Sequence, residues 1–282
     1  MRVLITGGSG QLGRALARLA PPGHDVVALG SAECDVAERQ SVFAATARYQ
    51  PELIIHAAAW TDVDGCERDP GRARLVNGEG TVHVAAAAND LGAALVYLST
   101  NYVFDGDASE PYAEDAEPRP LSVYGASKLA GERVVRELVP NHTIVRTAML
   151  YDERGRNFVN TMLRLAAERV SLVGVADQVG NPTYAGDLAA AIWRLASTPA
   201  DGTYHLTNAG VASWFEWAVE LLRLAGSDTP IEPVPASAFP RAATPPRNGA
   251  LANIRAAAIG VTLPDWRDAL GRCLERRVAL SQ

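Results

Sequence analysis

The sequence predicts an α/β fold: a Rossmann-type, doubly wound parallel sheet with helices on both faces, plus a smaller C-terminal α/β lobe. A glycine cluster directly follows the first apolar strand, and short β-branched runs alternate with amphipathic segments through the first half of the chain. We expect residues 1–150 to form a dinucleotide-binding domain, to which residues 185–210 approximately return. Residues 151–282 are then mainly a substrate-binding lobe.

The composition limits the range of partners. The 282 residues include 26 Lys and Arg and 32 Asp and Glu, for a net charge of −6. A mildly acidic chain without a basic run argues against nucleic acid and anionic membranes as main partners. The N-terminal apolar run is too short for a signal peptide, and the three cysteines have no metal-ligand spacing. We therefore expect a cytoplasmic protein with reduced thiols and predict no metal site.

The first strand and its turn give the dinucleotide prediction. Residues 2–6 are apolar and β-branched, and a helix is predicted over residues 11–19. The glycines between them are spaced G-x-x-G-x-x-G: Gly7 permits a tight turn, Gly10 lets backbone approach a pyrophosphate, and Gly13 lets helix and strand pack closely. This position makes the cluster a strong sign of a dinucleotide.

The second strand, over residues 24–29, bears on the choice of cofactor. An NAD-specific site usually offers an acid to the ribose 2′-hydroxyl here, whereas this chain has Gly30 and Ser31. Without that acid nothing repels a 2′-phosphate, so we expect NADPH, with NADH as the alternative. Asp35 and Val36 lie where an acid would meet the adenine amino group, although a surface loop explains them equally well.

The third strand, over residues 52–56, ends in the small residues Ala57, Ala58 and Ala59. Small side chains at the carboxyl edge of a sheet leave room for a flat ligand, although they also simply pack. A loop over residues 60–64 and a helix over residues 72–91 follow.

A group of polar residues follows the fourth strand, which is predicted over residues 94–98. Ser99 or Thr100 can bond a substrate carbonyl, and the next helix, capped by Ser122, carries Tyr124 and Lys128 four positions apart on one face. A nearby ammonium favours a phenolate, so we expect Lys128 to bring the pKa of Tyr124 closer to the working pH. This arrangement suits a general acid that protonates a forming alkoxide.

The C-terminal third alternates further helices and loops. Trp193, Trp214 and Trp217 are interpreted as packing residues rather than as base-stacking ones. A strand is expected over residues 142–147, and the later elements are helices at 155–169, 184–196, 213–225 and 263–278, a strand at 170–174, and loops at 177–183 and 229–246.

Taken together, these stretches resemble the dTDP-4-dehydrorhamnose reductase family of the extended short-chain dehydrogenases/reductases. The resemblance runs in family order through ITGGSGQLG, HAAAWTDVDGCE, STNYVFDG, VYGASKLAGE, IVRTAMLY, NFVNTMLRLAAER, ADQVGNPTYAGDLA and TLPDWRDAL. It implies hydride transfer from NAD(P)H to the C4 ketone of a nucleotide-linked 6-deoxy-4-ketohexose.

The resemblance also implies residue roles. Tyr124 would be the acid, Lys128 its partner that holds the ribose, and Thr100 the carbonyl-binding hydroxyl. The cofactor-binding residues would include Gly10, Gln11 and Leu12 at the pyrophosphate and Ala59, Trp60 and Thr61 along the cofactor or sugar edge. The substrate-binding residues would be Thr100, Asn101, Tyr124, Met149 and Gln178.

Four positions depart from the pattern of the family. Asn101 replaces an acid, Met149 a tryptophan that stacks on the substrate, and Gly65 a lysine, and at Pro245 the arginine of a late R-P-x-N-S segment is missing or shifted. All four belong to the expected sugar side, so the reaction type is better defined than the sugar. A ketone from another deoxysugar pathway fits as well as the rhamnose precursor.

Two alternatives remain open from the sequence. A sugar-nucleotide epimerase of the same fold would keep its nicotinamide bound, whereas a dehydratase would need the Asp-Glu pair that Asn101 and Tyr102 replace. A non-enzymatic regulatory subunit, like the beta subunit of methionine adenosyltransferase, is compatible with the fold alone. A homodimer is a further option on which the sequence is silent.

Overall fold

The protein is described by a computed structural model that covers residues 1–198 and 201–280. The first half of the chain contains β1 (Arg2–Thr6), α1 (Gln11–Arg18), β2 (Asp25–Leu29), α2 (Arg39–Tyr49), β3 (Leu53–His56), α3 (Val63–Arg68), α4 (Pro70–Ala73), α5 (Gly80–Leu91), β4 (Ala94–Thr100), α6 (Val123–Leu138) and β5 (His142–Thr147). The second half contains β6 (Leu150–Tyr151), α7 (Phe158–Glu168), β7 (Leu172–Val175), β8 (Val179–Gly180), β9 (Thr183–Tyr184), α8 (Ala185–Ala196), β10 (Gly202–His205), β11 (Ala212–Ser213), α9 (Trp214–Leu224), β12 (Ile231–Val234), α10 (Ile254–Ala258) and α11 (Trp266–Ala279).

A six-stranded parallel sheet organises the molecule, in the order β10-β5-β4-β3-β1-β2. The chain runs from β1 outward to β2 and then crosses to β3 on the other side of β1. In such sheets, ligands bind where the strand order reverses, at the carboxyl ends of the strands. The fold therefore places the glycine turn after β1 and the alanines after β3 on either side of one crevice.

Both faces of this sheet are buried, as the doubly wound prediction requires. Val3 and Ile5 point into a cluster that includes α1 and α8, whereas Leu4, between them, points into a cluster that includes α2 and α5. Successive side chains on a strand face opposite ways, and a parallel sheet covered on both sides therefore needs a continuous apolar strand. The predicted fold class is confirmed.

A third apolar cluster lies in the C-terminal part and joins α7, α9 and α11. Its largest fully buried members are Tyr151, Trp217 and Trp266. Three two-stranded sheets accompany these helices: β6 with β9, β7 with β12, and β8 with β11. At Ser213, a reciprocal capping box with Glu216 begins α9 and satisfies two of its terminal N–H groups.

Some elements differ from the sequence-based prediction. The single helix predicted over residues 72–91 is divided into α4, a π-helical turn (Arg74–Glu79) and α5. Within that turn, the Asn77 side chain bonds the backbone of Trp60 and the hydroxyl of Ser127, so tertiary contacts take precedence over local propensity.

Several short strands lie where no strand was predicted, and the loop expected over residues 177–183 contains β8 and the first residue of β9. The proline-rich segment expected to be a loop contains β12, which pairs with β7 despite Pro233 because β12 is an edge strand. Strand β10 forms an edge of the main sheet. No helix in the part of the chain that the structure describes is both long and apolar enough to cross a membrane.

Candidate active site

Helix α6 holds the central pair of residues close against β4. Its N-cap is Ser122, as predicted, whose hydroxyl accepts the Gly125 N–H at 3.1 Å. A Cβ at Gly125 would collide with the Tyr102 carbonyl oxygen, and one at Gly131 would collide with the Tyr97 hydroxyl. These two glycines thus allow the close approach that brings Tyr124 and Lys128 to the end of β4.

Burial governs the protonation of both residues. Burial raises the pKa of Tyr124, although a hydrogen bond with Thr100 opposes the rise. Burial lowers the pKa of Lys128 to about 7, against the charge of Glu132, and its ammonium lies 4.2 Å from the centroid of the Tyr97 ring. The expectation that Lys128 lowers the pKa of Tyr124 is therefore wrong for this structure, because desolvation disfavours the charged form of each group.

A buried ion-pair network lies beneath this pair. Glu132 receives two hydrogen bonds from Arg146, at 2.8 and 2.7 Å, and one from Arg136 at 2.8 Å. Burial alone would raise the pKa of Glu132. The hydrogen bonds and the charge of Arg146 outweigh the effect of burial, so the pKa of Glu132 is lowered. The Ser99 hydroxyl donates to the same carboxylate at 2.6 Å. Ser99 is thus committed to Glu132, whereas the Thr100 hydroxyl, which lines the cavity, donates to Asn101 Oδ1 at 3.3 Å and accepts the Tyr102 N–H at 3.2 Å.

The glycine turn has the shape of an anion cradle. Gly7 has a φ of +70°, and a Cβ there would lie 2.6 Å from the Ala58 nitrogen. A Cβ at Gly13 would collide with the Gly7 carbonyl oxygen, whereas one at Gly10 would meet only that oxygen, at 3.1 Å. The first N–H groups of α1 have no intrahelical acceptors, so they favour an anion beside Gly10.

One cavity of about 420 Å³ joins the glycine turn to the Tyr124 pair. A pocket of this size is within the range of small-molecule sites. The sequence-predicted residues that line it are Gly7, Gly10, Gln11, Leu12, Gly13, Ala59, Thr61, Thr100, Asn101, Tyr124, Lys128 and Met149.

Other candidates do not line this cavity: Gly30, Ser31, Asp35, Val36, Ala58 and Trp60. The Asp35 carboxylate accepts the Ala37 N–H at 3.0 Å, and Val36 is buried. The backbone of Trp60 is held by Asn77, and the Arg72 guanidinium lies 4.7 Å from the centroid of its ring. These residues lie outside the wall of this cavity.

The structure places an acidic residue, Glu33, at the end of β2. The Glu33 carboxylate accepts the Gly30 N–H at 2.9 Å, because the turn folds Glu33 back onto Gly30. The sequence-based statement that this edge lacks a carboxylate is therefore wrong. In the sequence, this contact was indicated only by an acid three positions after a glycine, a spacing that is typical of a turn.

A smaller cavity of about 80 Å³ adjoins the first and contains Gln178. Asn101, Met149 and Trp214 line both cavities. The Asn101 side chain donates to the Gly249 carbonyl oxygen at 3.0 Å, and a Cβ at Gly249 would collide with the same amide nitrogen. Met149 has a φ of +46°, a rare conformation for a non-glycine residue and one that is enriched at functional sites.

Sequence reasoning missed the contribution of α7 and its preceding loop. Arg156, Asn157 and Phe158 line the large cavity. Trp217 is fully buried, as the packing interpretation expects, but it also lines this cavity together with Trp214. No local sequence pattern marks these residues as part of the site, because the fold brings them to the glycine turn from distant positions in the chain.

Comparison with known proteins agrees with this geometry. The family model described as the RmlD substrate binding domain matches residues 1–278. The chain belongs to this family. The dTDP-4-dehydrorhamnose reductase of Streptomyces griseus is 44% identical to it over 278 residues, which cover 95% of this chain and 91% of the relative.

Two further relatives extend the comparison. The spore coat polysaccharide biosynthesis protein SpsK of Bacillus subtilis is 38% identical over 98% of both chains. The crystal structure of dTDP-4-dehydrorhamnose reductase from Bacillus anthracis, in complex with NADP, superposes with a TM-score of 0.95 at 40% identity, covering 98% of this chain and 99% of that one. The resemblance derived from the sequence motifs is confirmed.

Proposed function

We propose that the protein is an NAD(P)H-dependent reductase of the C4 ketone of a dTDP-linked 4-keto-6-deoxyhexose, as in dTDP-L-rhamnose or related deoxysugar biosynthesis. The observation that carries the proposal is that Thr100, Tyr124 and Lys128 line the same cavity as the glycine turn. The names of the relatives in Streptomyces griseus and Bacillus anthracis support this reaction.

The groups along the cavity fit a dinucleotide cofactor, which supplies the hydride when bound. The open space at Gly10 and the N-terminus of α1 suit its pyrophosphate, and Lys128 suits a ribose. NADPH is the cofactor that the Bacillus anthracis relative supports, since that structure contains NADP. The carboxylate of Glu33 beside Gly30 keeps NADH as an alternative, because a negative charge there disfavours a 2′-phosphate.

Thr100 and Tyr124 perform the proton step in this proposal. Because burial raises the pKa of Tyr124, its phenol carries its proton at neutral pH and is ready to donate it to the ketone oxygen. Thr100 bonds the same oxygen and aligns it with the phenol. Lys128, which lines the same cavity, holds the ribose of the cofactor in this proposal.

We assign the sugar to the side formed mainly by residues 151–282, with Met149 and Gln178 along its wall. The Asn101 amide is committed to Gly249, so Asn101 shapes this side as well as offering its oxygen to a sugar hydroxyl. Trp214 lies between the two cavities and offers a flat apolar face to the nucleotide sugar.

A cytoplasmic location fits this role. Cys34, Cys66 and Cys273 are all buried and unpaired, as in a reducing compartment. A homodimer is compatible with the proposal, and light scattering of the purified protein measures it independently of activity.

The test follows NADPH absorbance with enzymatically generated dTDP-4-keto-6-deoxy sugars, with UDP- and GDP-linked analogues alongside. We expect stoichiometric NADPH consumption with a dTDP-linked ketone and little with the analogues. A sugar that isomerises without net consumption of cofactor would favour an epimerase. Failure with every ketone, together with a stable complex with a synthetase, would favour a regulatory subunit.

A further inference from the structure

Arg156 is an unassigned cation at the large cavity. Its side chain is exposed, lines the cavity and makes no hydrogen bond or ion pair with any residue in the ranges 1–198 and 201–280. The neighbouring arginines differ, because Arg14 pairs with Asp152 and Arg18 with Glu153. A cation without a partner at the mouth of a cavity is available to bind an anionic ligand.

The loop that carries Arg156 is fastened to the glycine turn. The next residue, Asn157, is the N-cap of α7, and its amide nitrogen donates to Gln11 Oε1 at 3.0 Å. The same amide nitrogen donates to the Asp152 carbonyl oxygen at 2.8 Å, so one side chain joins the loop to the first residue of α1. This bond fixes the loop beside the N-terminus of α1.

We propose that Arg156 binds the pyrophosphate of the dinucleotide from the lobe side, opposite the N–H groups of α1. This inference rests on the proposed function and deepens it. The glycine turn supplies only neutral donors and a helix dipole, whereas a pyrophosphate carries two negative charges that a guanidinium can meet bidentately. The bound pyrophosphate then bridges the glycine turn and the loop before α7, which the Asn157–Gln11 bond already holds side by side.

The diphosphate of the substrate is the competing anion. The smaller cavity, which holds Gln178 and Gly249 and which we assign to the sugar side, is not lined by Arg156. The bond from Asn157 to Gln11 links the Arg156 loop to the cofactor turn instead. We therefore assign the guanidinium to the cofactor, and the experiment measures both ligands.

The test compares Arg156→Gln with Arg154→Gln, an exposed arginine on the same loop that does not line the cavity. We expect the NADPH Kd, measured by fluorescence titration, to rise about tenfold in Arg156→Gln at low salt and by less at high salt. In Arg154→Gln it stays within about twofold, as expected for a surface change. ADP-ribose, which carries the pyrophosphate without nicotinamide, weakens in parallel in a competition titration.

Three results would overturn the assignment. The NADPH Kd of Arg156→Gln could equal that of Arg154→Gln. Arg156→Gln could raise only the KM for the keto sugar, which would indicate that Arg156 binds the diphosphate of the substrate. Thirdly, ADP-ribose could bind equally well to wild type and Arg156→Gln. If wild type still consumes NADPH with a keto sugar, such results refute only the role of Arg156. Failure of wild type to bind NADPH refutes the proposed function as well.

Discussion

The side of the cavity that we assign to the cofactor (the cofactor side) and the side that we assign to the sugar (the sugar side) are built differently. The cofactor side uses residues close in sequence: one turn from Gly7 to Gly13, and one helical turn from Tyr124 to Lys128. The sugar side draws on separate segments that the fold brings together, which include Asn101, Met149, Gln178, Trp214 and Gly249. In this assignment, local geometry positions the reacting groups, whereas long-range packing shapes the site for the sugar. Variants on each side should therefore affect different measurements.

Tyr124→Phe should give the largest effect. Removal of the proton donor should lower kcat about 10³-fold and leave the NADPH Kd within about twofold, because only the transition state uses the phenol. Steady-state kinetics and a binding titration measure the two quantities. The control is Tyr102→Phe, whose ring lies 5.5 Å from that of Tyr124 and which keeps the acid. Equal loss in both variants would contradict the assignment.

Glu132→Gln tests the support beneath the cofactor side. The unpaired buried charge of Arg146 should lower the free energy of unfolding by about 3 kcal/mol in a denaturant titration. Glu168→Gln, which removes one partner of an exposed pair with Arg164, should cost less than about 1 kcal/mol.

At acidic pH, the difference in the free energy of unfolding between Glu132→Gln and wild type should become smaller. The folded pKa of Glu132 is lowered, so its stabilisation is present above the unfolded pKa and lost as the pH falls through the folded pKa. A constant difference across this acid range would contradict the ion-pair account.

Lys128→Met should have opposite effects on cofactor binding and on thermal stability. Without the cation the NADPH Kd should rise about tenfold. The folded pKa of about 7 lies below the usual 10.5, so burial of the ammonium costs stability fully below pH 7 and progressively less as the pH rises toward 10.5. The variant should therefore melt a few degrees above wild type at pH 6, and this gain should shrink in alkali. A lower Tm for the variant at pH 6 would contradict the account.

The contrast between the sides also explains what the sequence could predict. The alternating strands, the glycine turn and the Tyr124 helix follow from local patterns, and β1 and β5 have their predicted bounds. The bond from Asn157 to Gln11 spans 146 positions, and the Glu33 contact depends on turn geometry, so neither has a local signature. Burial of Lys128 similarly depends on the whole fold, which is why its effect on Tyr124 was misjudged.

Gly249→Ala tests the sugar side. The added methyl collides with the Asn101 amide, so we expect the KM for the keto sugar to rise about fivefold to tenfold while the NADPH Kd is unchanged. Gly271→Ala is the matched control, because that helical glycine has open space around its Cβ position. An unchanged KM, or a larger effect on NADPH than on sugar, would show that the two sides are not separable.

Glu33→Gln should give the smallest effect. Removal of the charge beside Gly30 should raise the preference for NADPH over NADH by about twofold to fivefold, with kcat for each cofactor unchanged. The ratio of kcat/KM values for the two cofactors measures this preference. No change in the ratio would mean that Glu33 does not face the ribose.

Hydride transfer to the sugar is the central claim, and isotope transfer tests it most directly. NADPH carrying deuterium at the transferable nicotinamide position is incubated with wild type and a dTDP-linked 4-keto-6-deoxyhexose, and the sugar is analysed by NMR. The account predicts one deuterium at C4 of a reduced product, and its near absence with Tyr124→Phe. A C4 without deuterium, or a sugar isomerised while the label stays on the nicotinamide, would contradict it.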